Sequence, residues 1–320
     1  MNLAVKNALQ ESLTDRYVKL PADLRAAFRP QREWAEGQGL WLLLAFFCSG
    51  VGAGTWLFSA PAFFDVPAGL VIGLLLMVAG SGGAHLAFLG HPLRAWRMVA
   101  QFRTSWVSRG IVGIMVFTIP AVLYLVPSVF PGVPWRQDDL FGKALMALSI
   151  FGALWVATYK GFVFAVAKGI PFWNSPLLPP LFIAYALRGG LAVLLLIGAL
   201  GGKFAAFHSV EVVKLWTVVS SAALIVFYVW VMSDAGLTAR QSAREIINGR
   251  VSLVFYVGVV AGGIVVPLVG GCLAFFTDLS LGAVGLIGVC SLVGDFSVTY
   301  SIAKAGIYLP PAFGALSGVR

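Results

Sequence analysis

Long apolar stretches of near-constant length alternate with short polar ones along most of this chain. They fall at about 39–60, 67–89, 108–130, 141–166, 179–201, 211–233, 251–275 and 282–305. Each holds roughly the 20 apolar residues that a helix needs to cross a hydrocarbon core of about 30 Å. None shows the polar–apolar alternation over about 10 residues that marks an outer-membrane strand. The pattern therefore predicts an all-α integral membrane protein, eight transmembrane helices in a bundle. Residues 1–38 carry mixed charge with Pro21 and Pro30, and are expected to form a soluble arm, either helical around residues 2–28 or without fixed structure. Residues 39–305 then make the membrane domain and 306–320 a tail. No cleavable leader is expected, because the first apolar run is long enough to stay in the bilayer.

Composition agrees with that reading and removes others. With 59% hydrophobic and 11% charged residues and a mean hydropathy of +0.91, the chain is too apolar for a soluble domain of this size. The net charge of +9 would suggest nucleic acid in a soluble protein, but in a membrane protein basic residues report topology. Of the 22 Lys and Arg, seventeen fall on the side of the arm, the even-numbered loops and the tail, and only Arg136, Lys143, Lys203 and Lys214 on the other. That asymmetry predicts both termini in the cytoplasm, with a bacterial inner membrane as the location and no nucleic-acid partner. Cys48, Cys272 and Cys290 lie inside apolar runs without CxxC spacing, which points to packing and not to zinc or an iron–sulfur cluster.

Covalent chemistry is scarce. A haem held between membrane helices usually takes two histidines at matching depth. Of His85, His91 and His208, only His85 falls within an apolar run, so no haem is expected. No phosphate loop, HExxH pair or hydrolase triad order is present.

One membrane face nonetheless gathers polar residues. His85 lies about one helical turn (~5 Å) inside the end of its run, behind Gly80, Gly82 and Gly83. After the turn Gly90-His91-Pro92, Arg94 and Arg97 share a helical face. Ser105 or Ser108 can cap the next helix, and Trp106 suits an interfacial anchor. Arg109 stands in that helix's first turn, where a cation opposes the helix dipole by up to about 1 kcal/mol. A lipid phosphate, an acidic partner residue or a ligand carbonyl should compensate it. Taken singly, Arg94, Arg97, Arg103 and Arg109 also fit topology and headgroup contacts, and His85 fits a satisfied interfacial histidine. Tyr159 is either a belt aromatic or a hydrogen-bond donor to a ligand. Arg188 sits mid-run, while Asp295, Tyr300 and Lys304 follow one another near a helical repeat, so Asp295 either pairs with Arg188 or lines a proton path. Gly50, Gly52 and Gly54 before Trp56 form a seam for close packing or a ligand cleft.

Several of these residues together resemble a known family. They are Gln31-Arg32-Glu33-Trp34 before the glycine-rich first run; His85 with Leu89-Gly90-His91-Pro92-Leu93-Arg94-Ala95-Trp96; Ser105-Trp106-Val107-Ser108-Arg109; and Tyr159-Lys160-Gly161 followed by Pro171-Phe172-Trp173-Asn174-Ser175-Pro176. The set resembles the NrfD/polysulfide-reductase-like and dimethyl sulfoxide reductase anchor (DmsC-like) membrane subunits. The resemblance implies an anchor without haem that binds ubiquinone or menaquinone and exchanges electrons with an iron–sulfur subunit, itself served by a molybdopterin catalytic subunit. By the same resemblance His85 is the histidine associated with quinol, and Tyr159 lines the pocket, although Lys160 stands where the family usually has threonine. Arg94, Arg109 and Trp106 would complete the quinone site, and His91, Trp96, Arg97 and Arg103 would meet the partner. The predicted orientation favours cytoplasm-facing relatives such as sulfite dehydrogenases or phenylacetyl-CoA:acceptor oxidoreductases. The competing reading is an ion- or proton-translocating transporter with Arg188, Asp295 and Lys304 as working charges. Against it, the polar cluster lies at one face and not at the midplane.

Overall fold

The computed structural model describes residues 29–90, 96 and 99–309. The helix expected around 2–28, His91, Arg94, Arg97 and most of the tail lie outside the described residues. Eight helices among those described are long and apolar enough to cross a membrane. They are α1 (Gly39–Ser59), α2 (Pro67–Phe88), α3 (Trp106–Val129), α4 (Leu140–Ala165), α5 (Leu178–Gly201), α6 (Phe207–Asp234), α8 (Val254–Leu273) and α9 (Leu281–Ala305). A short helix, α7 (Leu237–Ile247), lies between α6 and α8. The chain is an all-α integral membrane protein.

α1 and α5 are the most enclosed helices, and small residues let them touch. A side chain on Gly54 would collide with the Ala186 carbonyl, and one on Gly190 with the Gly54 backbone. The glycine seam of α1 thus divides its contacts, with Gly52 set against Gly73 of α2 and Gly54 against α5. Trp56 completes it, buried and donating to Ser149 Oγ of α4 at 2.9 Å. Around this pair, α4 packs on α1, α3 and α5, while α9 packs on α5 and α8. Outward positions such as Trp216, Val226 and Trp230 of α6 carry large apolar side chains, as a lipid-facing surface requires.

Two spans are not uniformly α-helical. Leu76–Gly82 in α2 and Val254–Val265 in α8 wind as π-helix, a form that clusters at functional positions. Both are glycine-rich, and in α8 this permits close contact with α9, because a side chain on Gly263 would come within 2.9 Å of Gly294 Cα. Apolar periodicity does not distinguish this wider winding from α-helix. α7 is hidden in the sequence by its polarity: it buries Thr238, Ala239, Ser242, Ala243 and Ile246 against α6 and α9, and exposes Gln241 and Arg244.

The end of the arm and the start of the tail are joined. Pro30 and Ile307 form an antiparallel bridge, the Gln31 amide donates to the Gly306 carbonyl at 2.8 Å and the Tyr308 amide to that of Arg29 at 2.9 Å. Arg29 pairs with Glu33, and the Tyr308 hydroxyl donates to Glu33 at 3.4 Å. The Glu33 and Arg32 backbone amides, then Arg29, hold the Glu33 carboxyl below its usual range. On the opposite face Asp139 caps α4, accepting from the Gly142 and Arg136 amides at 2.7 and 2.8 Å. Those amides likewise hold its carboxyl below the ordinary value.

Candidate functional site

Phe46 of α1 is the centre of the polar cluster on the arm side. Its ring lies edge-on to His85 (6.1 Å between centroids) and to Tyr159 (6.0 Å), and tilts against Trp34 (6.4 Å) and Phe164 (6.0 Å). Trp34 also meets Phe164 edge-on and tilts against Trp173, so the clasp of arm and tail adds an indole to the cluster. Trp173 is fixed in turn by its indole N–H, which donates to the Ile302 carbonyl at 2.8 Å.

His85 follows the π-helical turn of α2 and is half-buried. Its Nδ1 lies 2.9 Å from the Ser81 carbonyl. A carbonyl only accepts, so this contact assigns a proton to Nδ1. Nε2 then has no hydrogen-bond partner among the described residues and is the ring atom left to meet a ligand. Tyr159 is 2% exposed, too enclosed for a belt aromatic. Its ring fills the space left by Gly110 of α3, and its hydroxyl is buried without a hydrogen-bond partner. An orphaned hydroxyl, in a protein interior where such groups are normally satisfied, and the open Nε2 of a half-buried imidazole thus belong to two rings that both touch Phe46.

The rim beside the cluster is built by the start of α3. Ser105 is the N-cap, accepting from the Ser108 amide at 3.4 Å. Trp106 stacks flat on Phe162 at 4.3 Å. Arg109 turns back over Trp106 at 4.5 Å and donates to the Phe102 and Arg103 carbonyls at 3.1 and 2.8 Å. The compensation expected for this cation is thus supplied by its own loop and not by an anion. Trp96 is 69% exposed and Arg103 is exposed, while His91, Arg94 and Arg97 fall outside the described residues.

A second polar group lies deeper. Arg188 of α5 is fully buried and donates through Nε to Asp295 of α9 at 2.7 Å and through Nη1 to Ser221 of α6 at 3.1 Å. Lys214 donates to the Arg188 carbonyl at 2.8 Å. Lys304 does not join them: it donates to Tyr300 at 2.6 Å and lies 3.9 Å from Glu36 of the arm.

Two lysines correct the sequence reading. By position in the sequence Lys160 and Lys214 count as topology charges at helix ends, yet they are 4% and 3% exposed. α6 begins at Phe207, four residues before its apolar run, which draws Lys214 inside. Which way Lys160 faces depends on the rotation of α4, which a run of apolar residues does not reveal. Among the described residues, no group of three His, Cys, Asp or Glu is placed to hold a metal.

Comparison with known proteins places this architecture. Protein NrfD of Escherichia coli is 25% identical over 267 residues, which cover 75% of this chain and 80% of the relative. The C component of polysulfide reductase from Wolinella succinogenes is 26% identical over 273 residues, covering 78% and 84%. The C component of sulfite dehydrogenase from Allochromatium vinosum is 35% identical over 130 residues, covering 37% of each. The family model described as polysulphide reductase, NrfD, matches residues 38–311, which include all eight spans and both polar groups. The chain therefore belongs to the NrfD family.

Proposed function

We propose that this protein is the membrane anchor of an oxidoreductase complex and the subunit at which that complex exchanges electrons with quinone. The eight spans would form one bundle in a bacterial inner membrane with both termini cytoplasmic. An iron–sulfur subunit would dock on the arm side at Trp96, Arg103, His91 and Arg97, and a molybdopterin subunit would sit beyond it. The names of the relatives, which are components of a polysulfide reductase and of a sulfite dehydrogenase, support an anchor role. The observation that carries the quinone reading is the orphaned Tyr159 hydroxyl together with the open Nε2 of His85, on two rings that both touch Phe46.

Their chemistry suits that carrier. A quinone headgroup is a flat ring with two oxygens at opposite ends, and its two-electron reduction takes up two protons. The aromatic rings would supply an apolar wall, and the Tyr159 hydroxyl can donate to one oxygen. Neutral His85 with its proton on Nδ1 can accept a hydroxyl proton at Nε2, and protonated His85 can donate one. The Ser81 carbonyl holds the ring in orientation throughout. Arg94 and Arg109 would add positive potential at the rim, with Trp106 as a wall.

Replacing His85 tests this directly. His85→Ala is expected to lower quinone turnover at least tenfold while the complex still assembles; full turnover in an assembled variant would remove His85 from the site. Gentle detergent extraction provides a second check, since an anchor should co-purify with iron–sulfur and molybdenum subunits. Purification as a lone protein would favour a transporter built on Arg188 and Asp295.

A further inference from the structure

Lys160 is the buried cation with the poorest company. Its ammonium has three N–H donors, yet its one hydrogen bond is a long 3.4 Å contact to the Phe46 carbonyl. The ring of Phe182 lies 4.7 Å from Nζ. Among the described residues no carboxylate lies within 4 Å of it, and Asp295 acts on it only at longer range. Space has been left for it, because a side chain on Gly50 would come within 3.3 Å of Nζ. Burial of an ammonium with so little close compensation costs several kcal/mol. Neighbouring Arg188 and Lys214 make bonds of 2.7–3.1 Å.

The amine is also well placed. It reaches the backbone of Phe46, the residue whose ring contacts His85 and Tyr159, and Tyr159 precedes it on α4. We propose that Lys160 is a third ligand-binding group of this site, donating a hydrogen bond to an oxygen of the bound carrier and favouring the form of the carrier that bears negative charge. This rests on the quinone reading above and adds a specificity determinant to it. A positive charge in a medium of low dielectric acts strongly on a nearby oxyanion and weakly on a neutral ring. The site would thus select headgroups with acidic oxygens.

A hydroxyquinoline N-oxide, a fluorescent quinol analogue with an acidic oxygen, is a suitable probe. Its binding to the intact complex in detergent is read by fluorescence quenching at pH 7, independently of turnover, beside that of its neutral O-methyl ether. Wild type should bind the acidic probe more tightly than the ether. Lys160→Met should weaken binding of the acidic probe at least tenfold and remove that preference, while Lys160→Arg should keep most of both. An unchanged preference in Lys160→Met would overturn the proposal, and so would equal loss in Met and Arg variants that co-purify with their partners as wild type does. Should the Met variant not assemble, Lys160→Gln supplies the uncharged arm, with the same two outcomes. His85→Ala separates this proposal from the one it rests on: loss of binding in His85→Ala with none in Lys160→Met rejects Lys160 alone. Binding that depends on Lys160 and ignores His85 would move the carrier away from the imidazole and retain the amine.

Discussion

The two polar groups of this membrane domain answer the same problem in opposite ways. At depth, Arg188, Asp295, Ser221 and Lys214 tie α5, α6 and α9 together, and each cation has a strong partner within 3.1 Å. On the arm side, His85, Tyr159 and Lys160 surround Phe46 and leave Nε2, a hydroxyl and most of an ammonium unpaired. A polar group in a bilayer interior is costly unless partnered. The knot whose cations are all closely bonded, with Asp295 Oδ2 left over, reads as a structural clamp, and the one whose cation and hydroxyl are not reads as a place where the partner comes from outside.

That contrast can be broken by substitution. The largest effect is expected at the clamp: Arg188→Ala strands the Asp295 carboxylate, which should cost about 3–5 kcal/mol, read as a lower melting temperature and poorer yield. Replacing both, as Arg188→Met with Asp295→Leu, should recover most of that loss; no recovery would mean that the pair serves more than packing. At the open cluster the pattern should invert. Tyr159→Phe removes a hydroxyl with no close hydrogen-bond partner among the described residues, so stability should hold, whereas the KM for quinone should rise about tenfold, equivalent to about 1.4 kcal/mol for one lost hydrogen bond. An unchanged KM would return Tyr159 to packing.

The smallest effect belongs to the clasp. Glu33 has a folded-state pKa below its unfolded one, so its contribution is present above the unfolded pKa and is lost as pH falls through the folded value. Protease sensitivity of the arm should therefore increase in that acid range, and Glu33→Gln should flatten the dependence. A dependence retained in Glu33→Gln would assign it to another carboxylate.

The spans were legible because a bilayer imposes length and apolarity on every helix that crosses it. A cap at Ser105 or Ser108 was legible because capping chemistry is local, and the structure selects Ser105. The glycine seam was visible too, though not which neighbour each glycine meets. Lys160 and Lys214 were not legible in their actual setting. Near the end of an apolar run, a lysine that reaches lipid headgroups and one that turns inward look identical, and only helix rotation separates them. The compensation of Arg109 by its own loop carbonyls was likewise invisible, since it depends on a chain reversal. α7 was missed because its buried face is made of small and hydroxyl side chains, Ala239, Ala243 and Ser242.

The strand-like pairing of Pro30 with Ile307 gives the protein a mechanical property. Both ends are spliced at one point, and Trp34 hangs four residues from that splice on top of the aromatic stack. A partner that grips either end would pull on the same indole, so a tug delivered outside the bilayer reaches the aromatic cluster around Phe46 without any span having to slide.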